Sequence, residues 1–254
     1  MAPGWLAPDW ADVGAAMSTR AGGRSRAAWS SLNLGSHVGD AAADVAANRQ
    51  LFAEQIGALP VFLNQVHGHE VVRLGAADRR PGGAPPTADA AVTTEAGIAC
   101  TVMVADCLPL LMAAPHGRGV AAAHAGWRGL AGGVVDAAVG ALCDAASCEP
   151  GELRVWLGAC IGPRQFEVGA DVLQAFGADA EAAGQACFVA APPQSGVRKW
   201  HADLPGLARQ RLARLGVQAV SGGAWCTVSD ASRFFSFRRD GVTGRMAAAV
   251  WLRG

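Results

Sequence analysis

The chain has 254 residues, 51% of them hydrophobic, and its 21 basic residues balance 21 acidic ones for a formal net charge of zero. That length and composition suffice for a sizeable core, while the balanced charge leaves no electrostatic footprint for nucleic acid or an anionic membrane surface. No segment has the length of a membrane span, and the opening Met1-Ala2-Pro3-Gly4-Trp5 lacks the basic and apolar stretches of a secretory signal, so a single cytoplasmic domain over residues 1–254 is expected.

Along the chain, β-like runs alternate with alanine-rich helical ones, which predicts a mixed α/β (α+β) fold. A strand is expected over Val13 to Thr19 and a helix over Asp44 to Ile56. Strands follow over Val61 to Val66 and Glu70 to Leu74, then a proline- and glycine-punctuated loop over Pro81 to Pro86. Three further strands are expected over Ala99 to Ala105, Leu108 to Ala113 and Gly119 to His124, and a helix over Gly129 to Ala145. A strand over Arg154 to Gly158 and a helix over Ala170 to Phe176 come next. The loop Pro192 to Gly196 then leads into a strand over Val197 to Ala202. Leu204, Leu207, Ala208, Arg211, Leu212 and Leu215 recur at helical spacing and predict a helix. Arg245 to Trp251 closes the series as a strand.

Several chemistries lack the residues they require. The sequence has no Gly-x-x-x-x-Gly-Lys-Ser/Thr loop, no His-Glu-x-x-His helix, no Gly-x-Gly-x-x-Gly turn after a strand and no Gly-x-Ser-x-Gly elbow. Its seven cysteines are an odd number without a Cys-x-x-Cys pair, which argues against a redox dithiol or a structural zinc knuckle.

Three short segments stand out instead: Asn64-Gln65-Val66-His67-Gly68, Ala105-Asp106-Cys107 and His124-Ala125-Gly126-Trp127-Arg128-Gly129. Each places a metal-competent or nucleophilic side chain where an apolar run gives way to glycine or a polar residue, a position from which strands deliver groups into clefts. Two imidazoles and one thiol can bind zinc through three protein ligands and leave a coordination position open, as catalytic rather than structural zinc sites do. Each group also has a plainer reading: Cys107 as a buried apolar side chain, His67 as a loop histidine, His124 as a solvent-facing one, Trp127 as packing. Asp106 tips the balance, because an acid within the apolar stretch Ala99 to Ala114 is expensive to bury unless it is paired. Asn64, Gln65 and Arg128 supply donors and acceptors suited to a polar small molecule.

On these segments the chain resembles the YfiH-type, laccase-domain family, whose members are variously described as polyphenol oxidases, purine nucleoside phosphorylase/adenosine deaminases and peptidoglycan editing factors. Further matching stretches are Thr19-Arg20-x-Gly22-Gly23, Ser31 to Leu34 with His37-Val38-Gly39-Asp40, Asn48-Arg49, Gly158 to Gly162, Phe166 to Gly169 and Ser232 to Gly241. Asp40-Ala41 stands where the family often has two acids. The resemblance implies a four-layer α/β/β/α sandwich of mixed sheets, related to the fold of a toxin deamidase that uses Cys and His. It also implies zinc on His67, Cys107 and His124.

The substrates it implies are a purine nucleoside and phosphate. Zinc lowers the pKa of bound water toward neutrality, which suits attack at C6 of adenosine. For phosphorolysis, Arg128, Arg20 or Arg238 are the cations expected to hold phosphate, and Asp106 and Glu167 the carboxylates expected to move protons or orient a ligand. A His/His/Cys set also accepts copper, and oxidase activity of copper-loaded protein is expected as a side activity. The same residues without metal would form a Cys-His hydrolase, with Cys107 as nucleophile, acting in peptidoglycan precursor editing.

Overall fold

The computed structural model describes residues 4–79, 83–178, 186–192 and 197–254. Its strands are β1 (Val13–Met17), β2 (Leu59–Phe62), β3 (Val71–Leu74), β4 (Ala90–Thr93), β5 (Ile98–Val104), β6 (Leu108–Ala113), β7 (Val120–Ala125), β8 (Arg154–Leu157), β9 (Glu167–Val168), β10 (Phe188–Ala190), β11 (Trp200–Ala202), β12 (Ala219–Gly222) and β13 (Met246–Leu252). The helices are α1 (Ala42–Ile56), α2 (Trp127–Gly132), α3 (Val134–Ala146), α4 (Ala170–Ala175), α5 (Leu204–Arg214) and α6 (Phe237–Asp240).

Two mixed sheets face each other, one ordered β1-β13-β5-β2 and the other β12-β8-β6-β7-β4-β3, with a small antiparallel sheet β10-β11-β9 beside them. Successive side chains of a strand point to opposite faces, and β13 shows the consequence. Its Met246, Ala248 and Val250 join Met17, Val102 and Val104 against Leu111, Ala113, Ala122 and Trp156 of the second sheet. Its Ala247 and Ala249 turn the other way, onto Phe52 and Ile56 of α1. The outer face of the second sheet, with Leu110, Met112 and Ala123, packs on Val134, Ala138 and Leu142 of α3 and Leu207 and Leu212 of α5. Helix, sheet, sheet and helix therefore stack as layers around apolar interiors, as the resemblance implied. Among the described residues no helix is long and apolar enough to cross a membrane.

Several elements differ from expectation for identifiable reasons. The helix expected over 129–145 is two helices, because Gly133 sits at φ +100° between α2 and α3, a left-handed conformation that breaks the repeat. Strand β4, Ala90-Ala91-Val92-Thr93, is not among the expected strands: only its Val92 and Thr93 favour a strand, and it is held by pairing with β3 on one side and β7 on the other. Strand β2 begins earlier than expected and accommodates Pro60, since it is the edge strand of its sheet. Residues 81–82 and 193–196 of the two expected loops lie outside the described residues.

Candidate metal centre

The register of β6 and β7 brings the second and third segments together. Pro109 pairs with His124 and Leu108 with Ala125, so Cys107, one residue before β6, lies beside the end of β7. His124 follows Val120 and Ala122 on the face turned toward the first sheet, and it is buried at the rim of the inter-sheet core.

His67 arrives from the other sheet. Beyond β2, Gln65 continues the contact with β5 through its amide, which donates to Met103 O at 2.9 Å and accepts from Met103 N at 2.8 Å. The chain then crosses toward β3 with His67 at φ +60°. The side chain that fixes this turn is Asp89, immediately before β4 and fully buried. Its carboxylate accepts the backbone N–H groups of Val66 (3.1 Å), His67 (3.0 Å) and Gly68 (2.7 Å), and the Nδ1–H of His124 at 2.8 Å. One carboxylate therefore shapes the loop that carries His67 and holds Nδ1 of His124, so that Nε2 is the nitrogen a metal would take, displacing its proton.

His67, Cys107 and His124 each offer a ligating atom, and these atoms all lie within 4.8 Å of one another. This is the one such group among the described residues. Cys107 Sγ is 3.7 Å from His67 Nε2, close to the ~3.6 Å edge of a tetrahedral zinc site built from ordinary Zn–S and Zn–N bonds. The two imidazoles meet edge-on with centroids 4.8 Å apart. Gly126 makes the approach possible: a Cβ there would sit 2.8 Å from His67 Cδ2 and 3.0 Å from Cys107 Sγ. Geometry and donor chemistry both fit a zinc ion, with Cys107 as thiolate.

Electrostatics favour that thiolate. Burial pushes the Cys107 thiol up, but the His124 cation and hydrogen bonds from His124 and His67 outweigh it and bring it down to about 6. Burial likewise lowers His124, and the Cys107 charge and Asp89 hydrogen bond raise it to about 9. Asp89 is pushed up by burial, yet the His124 and backbone hydrogen bonds hold it below the ordinary carboxylate range.

The triad forms one wall of a cleft of about 310 Å³. Gln65, Met103, Val104 and Ala105 line it beside the triad, and His37, Phe237 and Arg245 complete it. A side chain alone selects neither metal nor reaction. The family described as "multi-copper polyphenol oxidoreductase laccase" matches residues 14–253. The chain belongs to this laccase-domain family. Among its laccase-domain relatives, a protein of Pseudomonas aeruginosa named purine nucleoside phosphorylase is 47% identical over 98% of each chain. Purine nucleoside phosphorylase YfiH of Escherichia coli is 45% identical over 97% of this chain and 98% of its own. Among solved structures, a Neisseria meningitidis protein superposes with a TM-score of 0.88 at 45% identity, covering 98% of this chain and 99% of that one. YlmD of Geobacillus stearothermophilus gives 0.89 at 33% identity over 100% and 98%.

In this laccase-domain fold the remaining expected site residues bond outside the cleft lining. Asp106, at φ +95°, accepts from Thr227 Oγ1 at 2.5 Å and from the backbone N–H of Arg238 at 2.7 Å, tying the start of α6 to the strand end that carries Cys107. The Arg238 guanidinium donates to Glu167 O. Arg20 donates to Ser30 O and Ala231 O. Asn64 donates to Thr87 Oγ1, and the Arg128 guanidinium lies 4.2 Å over the Trp127 ring. Sequence reasoning missed Asp89 and passed over Phe237 and Arg245. Asp89 carried a legible signal, an acid opening the apolar run Ala90-Ala91-Val92, the same signal that drew attention to Asp106.

Proposed function

We propose that the chain is a zinc-dependent purine nucleoside enzyme. It would phosphorolyse adenosine, inosine and methylthioadenosine to free base and ribose 1-phosphate, and deaminate adenosine to inosine. The observation that carries this reading is the convergence of His67, Cys107 and His124 on one wall of a cleft. It occurs in a chain whose near full-length relatives are named purine nucleoside phosphorylases. His67, Cys107 and His124 would hold the zinc, which supplies Lewis acidity toward substrate oxygen or water when bound.

The remaining tasks fall to the chain's own residues. Asp89 orients His124 and pins the turn that carries His67. Phe237, 57% exposed at the cleft with the Arg245 guanidinium 5.8 Å from its ring centroid, offers an apolar surface against which a purine packs. Asp106 acts as a positioning residue, through its bonds to Thr227 and the α6 N-terminus. Seven free cysteines suit a reducing, cytoplasmic setting.

A second reading has one observation in its favour: Asp89, His124 and Cys107 form an acid-imidazole-thiol series with the thiol brought down to about 6. Without metal, that series would serve a Cys-His hydrolase acting on peptidoglycan precursors. Copper loading of the same ligands would give a polyphenol oxidase side activity.

The test incubates zinc-loaded protein and its Cys107→Ala variant with adenosine and phosphate and assays inosine, adenine, hypoxanthine and ribose 1-phosphate. The reading expects products from the first and none from the second, with activity lost on chelation. Absence of all four overturns it. Metal-free, active protein inactivated by thiol alkylation supports the hydrolase.

A further inference from the structure

The cleft wall beside the metal triad is basic. Arg245 and His37 both line it, and no carboxylate belongs to its described lining. Arg245 immediately precedes β13, where Met246 pairs with Val104 of β5, so its side chain starts from a rigid sheet position beside the triad. Its backbone N–H donates to Asn33 Oδ1 at 2.9 Å, and its Nη1 donates to Thr243 O and Gly244 O at 3.1 Å each. Gly35 makes room for its stem, since a Cβ there would lie 2.8 Å from Arg245 Cγ. The guanidinium is thus placed by the fold; among the described residues no carboxylate lies within ion-pair distance of it, and the negative charges of Cys107 and Asp106 act on it from farther away. Arg20, Arg128 and Arg238, the cations that sequence alone offered for phosphate, do not belong to the cleft lining, whereas Arg245 does, with its guanidinium 5.8 Å from the Phe237 ring centroid.

We propose that Arg245 and His37 form the oxyanion subsite of this cleft, and that its ligand is inorganic phosphate, held across from the His67, Cys107 and His124 wall. The inference rests on the phosphorolytic reading given above and assigns the co-substrate a place in it. Guanidinium donors match two phosphate oxygens at once, and an imidazole N–H adds a third contact. Burial, then the neighbouring Arg245 and Arg49 guanidiniums, lower the His37 pKa, so Arg49 adds to the positive charge around this wall. In the reaction, a phosphate oxygen bonds to C1′ of the ribose as the C1′–N9 bond breaks. The bonding pair leaves with the purine, whose nitrogen takes the proton that hydrogen phosphate gives up on forming the ester, so no oxidant or reductant is needed.

The test titrates inorganic phosphate calorimetrically into the zinc-loaded wild type and into Arg245→Gln, Arg245→Lys, His37→Gln and Arg128→Gln, with Arg214→Gln on the exposed face of α5 as control. One phosphate should bind the wild type and the control alike. Arg245→Gln should weaken binding roughly tenfold or more, the scale of one charge-assisted pair, with smaller losses in Arg245→Lys and His37→Gln. In steady-state assays the phosphate KM should rise in the same order while the nucleoside KM stays within about twofold. Should Arg245→Gln melt early through loss of its carbonyl contacts, Arg245→Lys and His37→Gln carry the comparison. Unchanged phosphate affinity in folded Arg245 and His37 variants, or a loss confined to Arg128→Gln, overturns the subsite. A wild type that binds phosphate through Arg245 yet cleaves no nucleoside keeps the subsite and overturns the functional reading. Phosphorolysis with an unmoved phosphate KM does the reverse.

Discussion

Asp89 is the residue on which the candidate centre turns, because one buried carboxylate satisfies four donors from two different ligand-bearing segments. Asp89→Asn keeps the shape but brings its own N–H₂ toward those donors and removes the charge that fixes the His124 tautomer. Zinc affinity should fall about 10–100-fold, the usual cost of losing a carboxylate behind a histidine ligand, as measured by competition with a chelating dye. An unchanged affinity would show that His124 is oriented by packing alone. The sign of the pH effect follows from the direction of the Asp89 shift. Its folded pKa lies below the unfolded value, so its stabilisation is complete above about pH 4 and is lost as pH falls through the folded value. Cys107 gives a second reading of the same electrostatics. In metal-free protein its thiolate dominates above pH of about 6, so the rate of its alkylation by iodoacetamide should be half-maximal there, against about 8.5 for an ordinary thiol. Peptide mapping separates it from Cys226, whose thiol is also lowered, and from the buried Cys100 and Cys160, which burial pushes up. A midpoint above 8 would mean that the His124 cation does not reach the sulfur.

Among the elements, β6 and β7 do most to assemble the site, and Gly126 at the start of α2 lets them do so. Gly126→Ala should leave the fold intact but displace His67 or Cys107, because the new methyl would lie at contact-breaking distance from both. We expect near-stoichiometric zinc to drop to a minor fraction in metal analysis while the circular dichroism spectrum stays native; full zinc occupancy would refute this account of the glycine. The candidate ligands His67, Cys107 and His124 stood out in the sequence, since each ended a hydrophobic run at a polar or glycine-flanked position. Their mutual support did not. Strand β4 is four residues long and only its Val92 and Thr93 favour a strand, and Asp89 acquires meaning only when β4 pairs with β3 and β7. The four-residue helix α6 is likewise a tertiary product, its first turn held by Ser236 and by Asp106 from another strand end. Arg20, Arg128 and Arg238 show the converse limit: a sequence displays a cation's presence but not the carbonyl or ring that occupies it.

At the scale of the molecule, the candidate metal triad joins the two facing sheets, His67 following β2 of one and His124 lying one residue before the end of β7 of the other. The layer order was visible through family likeness rather than periodicity, because alternation along β13 reveals two buried faces only once both neighbours of its sheet are known. We propose that residues 1–254 fold as one domain. Thermal unfolding should then show one transition by near- and far-ultraviolet circular dichroism alike, shifted upward by zinc by an amount equivalent to about 4 kcal/mol at a thousandfold excess over Kd; separate transitions would divide the chain. The central claim is the coordination of zinc by His67, Cys107 and His124. It is tested most directly by zinc K-edge X-ray absorption on the protein loaded with one equivalent of metal. The account predicts one sulfur at about 2.3 Å and two imidazole nitrogens at about 2.0–2.1 Å, with the sulfur shell absent in Cys107→Ala. A wild-type shell of nitrogen and oxygen alone, or one unchanged by that substitution, would contradict it.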